Sequence, residues 1–321
     1  MPSLQEFLKN RDPRDLAPLV ECLYRFLPHS LARLVERSQR PRHMRSIAAG
    51  VSFLKNAEGG WTVRDRTKIV AHGLSLQGLC GMIDRPVTIV ATGPSAKDYC
   101  WDKIRNGSRY IVAVAGAPTL LKEKGVRPDL LVVSDSRFAR YGIEHFRNAP
   151  GVPLVTVLRG ASFLAKESRN ELVSRPFSLI EHVNSWYGLP QLPYDVLRAL
   201  NQESGSPFHF SEPPDLAFRI GWSDVPEHGF FSGSTVAFVA LQIAVRLGAR
   251  DIEIIGMDLS GGNRAYDEGD KPVRNTLGAN YEPVILPSFR MMHHALANRN
   301  ISVRNLSPVC PLPSSLFSGG K

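Results

Sequence analysis

The chain has 321 residues, 43% of them hydrophobic and 21% charged, the balance of an ordinary globular protein with room for one large domain or one and a half. Its net charge of +9 and pI near 9.6 suit an acidic partner: a nucleotide, nucleic acid or an anionic membrane. Cys22, Cys80, Cys100 and Cys310 lie far apart without CxxC or Cys/His ligand spacing, which argues against a structural zinc and a disulfide framework.

The opening MPSLQEFLKNRDPRD is too charged for a signal peptide, and no apolar run reaches transmembrane length, so the expected setting is cytoplasmic. Residues 1–80 are the most basic part. LAPLVECLYRFLPHSLARLVERSQRPRHMRS carries apolar residues at helical spacing, interrupted near Pro28 and Pro41, and predicts two short amphipathic helices. Their simplest role is to pack on the main domain; the alternative is that Arg33, Arg37, Arg40, Arg42 and Arg45 face anionic lipid headgroups.

From residue 85 the pattern changes. PVTIVAT, YIVAVAG, DLLVVSD, VPLVTVL and DIEIIGMD are short continuous apolar runs separated by polar or helical segments. Continuous runs predict a sheet buried on both faces, hence an α/β, doubly wound, mainly parallel Rossmann-like domain over residues 81–321, with ligands at the carboxyl ends of the strands. Residues 160–232 are rich in Pro, Gly, Ser and aromatics, as in EHVNSWYGLPQLPYD, and read as a lid or acceptor segment. There is no internal repeat.

Four places along this domain carry candidate chemistry. VTIVATGPSAKDY ends its strand in Gly93, Pro94 and Ser95: a glycine that admits close approach, a proline that stiffens the turn, and a hydroxyl that caps a helix or donates to a phosphate. This is neither GxGxxG nor a Walker loop. VSDSRFAR sets Asp135 beside Arg137 at another strand end, fitting a ribose hydroxyl and an anion, or a structural ion pair. FFSGSTVAFVALQIAVRLG places Ser232, Gly233, Ser234 and Thr235 at the start of an apolar helix, an anion site or a plain cap. The strand that follows ends at Asp258, and its loop brings Tyr266, Asp267 and Glu268 to the same edge. Last, ILPSFRMMHHALANRN predicts a helix with Arg290, His293 and His294 on one face, a histidine being the natural general base for a hydroxyl.

VATGPSAKDY, VSDSRFAR, GSTVAFVALQIAVRLGARDIEIIGMDLSGGNRAYDE and ILPSFRMMH, in this order and spacing, resemble the lipopolysaccharide-core Kdo transferases of the WaaZ type. More distantly, the helix–strand–loop segment and ISVRNLSPVCPL are similar to the bacterial CMP-sialic-acid-dependent sialyltransferases and to motility-accessory proteins of flagellin glycosylation. The resemblance covers about residues 85–310.

It implies a sialyltransferase-type, GT-A-like variant of the fold, and a metal- and cofactor-independent inverting transfer of Kdo from CMP-Kdo to an inner-core sugar on lipid A. The setting it implies is the inner face of the inner membrane. By the same resemblance Gly93, Pro94, Ser95 and Ser232–Thr235 hold CMP, and Tyr266 matches the second of two phosphate-holding tyrosines, with Ser260 where the first would stand. His293 matches the general base. Arg137 or Arg290 would take the Kdo carboxylate. Two nucleotide-holding asparagines of the sialyltransferases are missing; Thr92 replaces one, and Ala115 or Gly116 lies near the other. The rival readings are a transferase for sialic acid or another nonulosonic acid, a pyrophosphokinase-like relative of the same fold, and a non-catalytic nucleotide-sugar-binding protein. No helix-turn-helix or aromatic–basic pattern supports nucleic-acid binding.

Overall fold

Each apolar run read as a strand forms one, in a seven-stranded parallel sheet that two further strands complete. The computed structural model describes residues 50–56, 58–185, 197–199, 206–210, 218–259, 264–266 and 276–317. In chain order these form β1 (Val51–Lys55), β2 (Trp61–Asp65), β3 (Lys68–Gly73), α1 (Leu76–Cys80), β4 (Val87–Val90), α2 (Asp102–Arg105), β5 (Tyr110–Val114), α3 (Ala117–Glu123) and β6 (Leu130–Val133). There follow α4 (Ser136–Tyr141), α5 (Ile143–Arg147), β7 (Leu154–Val157), α6 (Leu158–Glu167), α7 (Arg169–Val173) and β8 (Phe177–Ile180). The remainder is β9 (Phe208–His209), β10 (Trp222–Ser223), α8 (Val236–Arg246), β11 (Asp251–Ile255), α9 (Leu277–Asn280), α10 (Leu286–Leu296) and β12 (Ser302–Asn305), with a π-helical turn, Tyr281–Ile285, joining α9 to α10.

The sheet order is β12-β11-β4-β5-β6-β7-β8, every pairing parallel. Alternate residues of each strand feed two separate cores. Val87, Ile89, Val112, Leu130 and Val132 face α8 and α10, while Val90, Ile111, Ala113, Leu131 and Val133 face α3, α5 and α6. Both faces are dry, which is why these strands read as unbroken apolar runs. α8 is buried along almost its whole length, lying between the sheet and α10. Gln242, its one wholly buried polar side chain, accepts from the N–H groups of Ser223 and Phe231 and donates to the carbonyls of Phe231 and Phe238, fixing the chain that leads into the helix.

Two expectations are corrected. Residues 50–80, placed in a helical N-terminal region, form the antiparallel meander β1-β2-β3 and the single turn α1; the two helices expected around residues 17–45 lie outside the described residues. The meander shares the core of Leu164, Leu172 and Phe177, and Leu74 N–H donates to Phe177 O at 2.7 Å, so the fold shows no boundary at residue 80. Likewise, the stretch assigned to a lid from residue 160 begins with α6, α7 and β8, which are layers of the doubly wound core. β8 escaped notice because FSLI is only four residues long, and β12 because Arg304 and Asn305 break its apolar pattern.

Candidate functional site

β4 lies between β5 and β11, and the chain leaves it on one side and returns on the other. Such a switch point opens a crevice outside the carboxyl ends of the strands. Here the two strand ends stay joined beyond the sheet: Ala91 N–H donates to Ile255 O at 2.8 Å and Gly93 N–H to Gly256 O at 2.7 Å. A Cβ at position 93 would lie 2.5 Å from both the Gly256 carbonyl and Asp258 Oδ2, so only glycine permits this approach. Pro94 opens a single 3-10 turn, where its fixed φ fits.

The Ser95 backbone N–H donates to Asp258 Oδ2 at 2.8 Å, and its hydroxyl makes a short hydrogen bond to Oδ1. The turn after β4 and the end of β11 are thus one unit, with the Asp258 carboxylate buried at its centre. Ser95 therefore acts here as the clasp of the turn.

Above the crevice, Ala265 N–H donates to Thr92 O at 2.8 Å and Arg264 Nη1 to Thr92 Oγ1 at 3.0 Å. These bonds deliver the Tyr266 ring onto the turn after β5. A Cβ on Gly116 would run into that ring, so the position near which an asparagine was missed is the seat of the tyrosine. Ser260, Asp267 and Glu268 lie outside the described residues.

α8 runs antiparallel to the strands, so its first turn also opens at the carboxyl edge. Gly233 and Ser234 both adopt left-handed backbone (φ 51° and 55°), turning the chain sharply before Thr235. Gly233 N–H is held by Arg219 O at 3.0 Å and Thr235 N–H by Ser232 O at 3.1 Å. The Thr235 hydroxyl makes no cap bond, so no side chain at the N-cap closes the first turn of α8, which is what an anion needs.

The other candidates stand apart from this cluster. Asp135 caps α4 through Arg137 N–H (2.9 Å) and pairs with the Arg137 guanidinium at 3.1 Å, an exposed ion pair beside β6. That ion pair raises the Arg137 pKa further. Arg290 is exposed one turn into α10, within electrostatic reach of Tyr281. His293 sits seven residues into α10, about 10 Å along the axis at 1.5 Å per residue, and lines a hollow with Ala297, Asn300 and Ser302. Ser302 opens β12, so His293 belongs to the amino-terminal edge of the sheet, not to the edge that holds Ser95, Asp258 and Ser232–Thr235. The physical reason is direction. A helix that feeds a parallel strand carries its later residues away from the carboxyl edge.

With this geometry in view, a stretch of 236 residues is 29% identical to an Escherichia coli protein named "Probable 3-deoxy-manno-octulosonic acid transferase", covering 70% of this chain and 78% of that protein. A Salmonella typhimurium protein of the same name is 24% identical over 239 residues, or 72% and 86% of the two chains. The chain is a relative of proteins named as probable Kdo transferases. Among solved structures, the MAf glycosyltransferase from Magnetospirillum magneticum superposes with a TM-score of 0.41 at 15% identity over 70% of this chain, which spans about a third (34%) of that larger one. The sialyltransferase CST-II in complex with a trisaccharide acceptor and CMP gives 0.38 at 14% identity, over 73% and 88% of the chains. No family model matches the chain.

His145 of α5, which belongs to none of the sequence motifs, packs directly behind Tyr266. It is buried, its ring edge meets Tyr266 at 4.7 Å between centroids, and it stacks on Phe138 at 5.1 Å. Its Nδ1 lies 2.6 Å from Thr119 Oγ1. Burial pushes the imidazole below its ordinary value of 6.5, only partly offset by the Glu144 carboxylate 3.5 Å from Nε2.

The sign of the linkage follows. Below pH 6.5 the unfolded chain takes up a proton that the folded chain refuses, so stability falls as the pH drops through that range. His145→Gln is expected to flatten this limb in urea titrations run across the acidic range. An unchanged slope would mean that His145 does not carry it.

Proposed function

We propose that this protein is a glycosyltransferase that moves Kdo from CMP-Kdo to an inner-core sugar of lipopolysaccharide, with inversion and without a metal. The relationship over 70% of the chain to proteins named as probable Kdo transferases carries this reading. The crevice at the β4–β11 switch point supports it.

In this scheme the donor phosphate lies against the open first turn of α8, with Ser234 and Thr235 as donors and the Tyr266 hydroxyl beside it. Gly93 lets the two strand ends close on each other, and the Ser95–Asp258 clasp keeps that wall of the nucleotide site rigid. The acceptor hydroxyl attacks the anomeric carbon while the bond to the CMP phosphate breaks; CMP departs with the electron pair, and its freed phosphate oxygen takes the hydroxyl proton. CMP is a stable leaving group, so orientation and a preorganised anion site supply most of the acceleration. A lipid-linked acceptor brings the enzyme to an anionic membrane surface, which the charge of +9 favours. Among the described residues no helix is long and apolar enough to cross a membrane.

Thermal unfolding with CMP, CDP, UMP, UDP and GDP, each with and without magnesium, tests the donor site. CMP or CDP should raise Tm without metal, because a ligand of the folded state alone stabilises it. A flat panel, or a response to UDP only with magnesium, would remove the CMP-sugar reading. Transfer assays with CMP-Kdo against CMP-sialic acid then decide the sugar. His293→Ala, altered at the far edge, is expected to retain transfer; its inactivity would return this histidine to the role of base.

A further inference from the structure

We infer that the exposed surface shared by α4 and α6 is the acceptor subsite, built to take an anionic oligosaccharide; this rests on the glycosyl-transfer reading above. Both helices leave the carboxyl edge, α4 just after β6 and α6 directly from β7. Their side chains interleave aromatic rings with guanidinium groups. The Arg140 guanidinium lies 5.3 Å from the centroids of both Tyr141 and Phe163, and that of Arg159 lies 5.5 Å from Phe163.

Tyr141 is 69% exposed, the highest value among the large hydrophobic side chains of the described residues. A bare ring of this kind, packed on an arginine and so held in one orientation, offers a flat face to the C–H side of a sugar. The charges complement an acid. Arg137, Arg140 and Arg159 stand against Asp135 and Glu167, and the two ion pairs formed there, Arg137–Asp135 at 3.1 Å and Arg140–Glu167 at 3.2 Å, are both solvent-exposed. Exposed pairs are weak, so a guanidinium engaged in one remains able to fork onto a ligand carboxylate or phosphate.

Packed rings beneath the surface link the platform to the crevice, and Tyr141 and Phe163 each stand five residues into their helices, about 7.5 Å along the axis from the carboxyl edge. Tyr266 meets His145, His145 stacks on Phe138, and Phe138 lies on α4 next to Arg137. β6 is two strands from β4, about 10 Å at roughly 4.8 Å per strand, a span of two or three sugar units. A saccharide fits better than a membrane because the patch holds rings and guanidinium groups rather than exposed aliphatic side chains.

The test titrates the full-length protein with three probes: a deacylated inner-core oligosaccharide bearing Kdo, neutral maltotriose, and vesicles of phosphatidylcholine with phosphatidylglycerol. Wild type should bind the acidic oligosaccharide and not maltotriose. Tyr141→Ala should weaken that binding on the order of tenfold, the effect of one lost stacking ring, and Tyr141→Trp should restore it. Arg140→Gln should weaken it too. The CMP-induced rise in Tm should be the same in all variants. Binding that ignores both positions, or no binding at all, overturns the proposal. So does Tyr141-dependent capture by vesicles without oligosaccharide binding, which would make the surface a lipid contact. Oligosaccharide binding that depends on Tyr141 with no CMP response would instead sink the donor reading and leave the platform standing.

Discussion

Asp258→Ala is expected to abolish the CMP response and to lower stability by about 2–4 kcal/mol, because a buried carboxylate that accepts two hydrogen bonds disappears and leaves Ser95 N–H without an acceptor. The effect has two readouts with different origins. The loss of stability reports the bonds themselves. The loss of ligand response reports the shape of the wall, since Gly93 and the Gly256 carbonyl are held together by the same clasp. Asp258→Asn keeps the volume and one acceptor oxygen, so it should fall between wild type and alanine on both measures. A variant that melts like wild type would show that the clasp contributes nothing. A variant that keeps its CMP shift would place the donor somewhere other than the β4–β11 crevice.

The second large effect lies behind the site. Arg175 is wholly buried at its side chain. It donates to the carbonyls of Phe146 (2.9 Å), Ala149 (3.1 Å), Val152 (3.4 Å) and Glu171 (2.8 Å), and to the Glu171 carboxylate at 3.0 Å. Burial lowers its pKa, and Glu171 pulls it back. Arg175→Ala strands these carbonyl acceptors and leaves the half-buried Glu171 carboxylate with only Arg147, 3.6 Å away, at a cost of about 3–5 kcal/mol. Arg175→Lys should recover only part of it, because an ammonium is a point charge and cannot span acceptors fanned around a planar fork. Urea denaturation checks both: the midpoint should drop with the m-value unchanged. An alanine variant within 1 kcal/mol of wild type would mean that water replaces the guanidinium.

The sheet was legible where its residues are apolar on both sides. Val87–Val90, Tyr110–Val114, Leu130–Val133 and Leu154–Val157 announce themselves, since burial on two faces leaves no alternation to misread, and Asp251–Ile255 shows through its isoleucines although Asp251 and Glu253 alternate with them. The meander was not legible, because Arg64, Arg66 and Lys68 hide short β-forming runs inside a basic region. At the site, glycine and aspartate at strand ends marked the right edge. Their partnership was invisible: Ser95 and Asp258 are 163 residues apart, and only the parallel order of β11 beside β4 brings them into contact. His145 carries no motif and gains meaning only from the Tyr266 ring laid against it. For His293, helical spacing correctly put it on a face with Arg290 but was silent on height along the helix, and height is what removes it from the crevice.

The position of β4 in the middle of the sheet also has a consequence for biosynthesis. Val87 pairs with Ile252, so β4 waits for its second neighbour while more than half of the protein is made. At ~5–20 residues per second, that interval is on the order of 10–30 s. Throughout it the nascent sheet presents Val87-Thr88-Ile89-Val90 as an open apolar border, the kind of template that invites pairing with another chain. The crevice itself does not exist until that border closes: ribosome-bound fragments ending before residue 251 hold most of the sheet strands but lack Asp258 and Tyr266, so the wall around Ser95 cannot form.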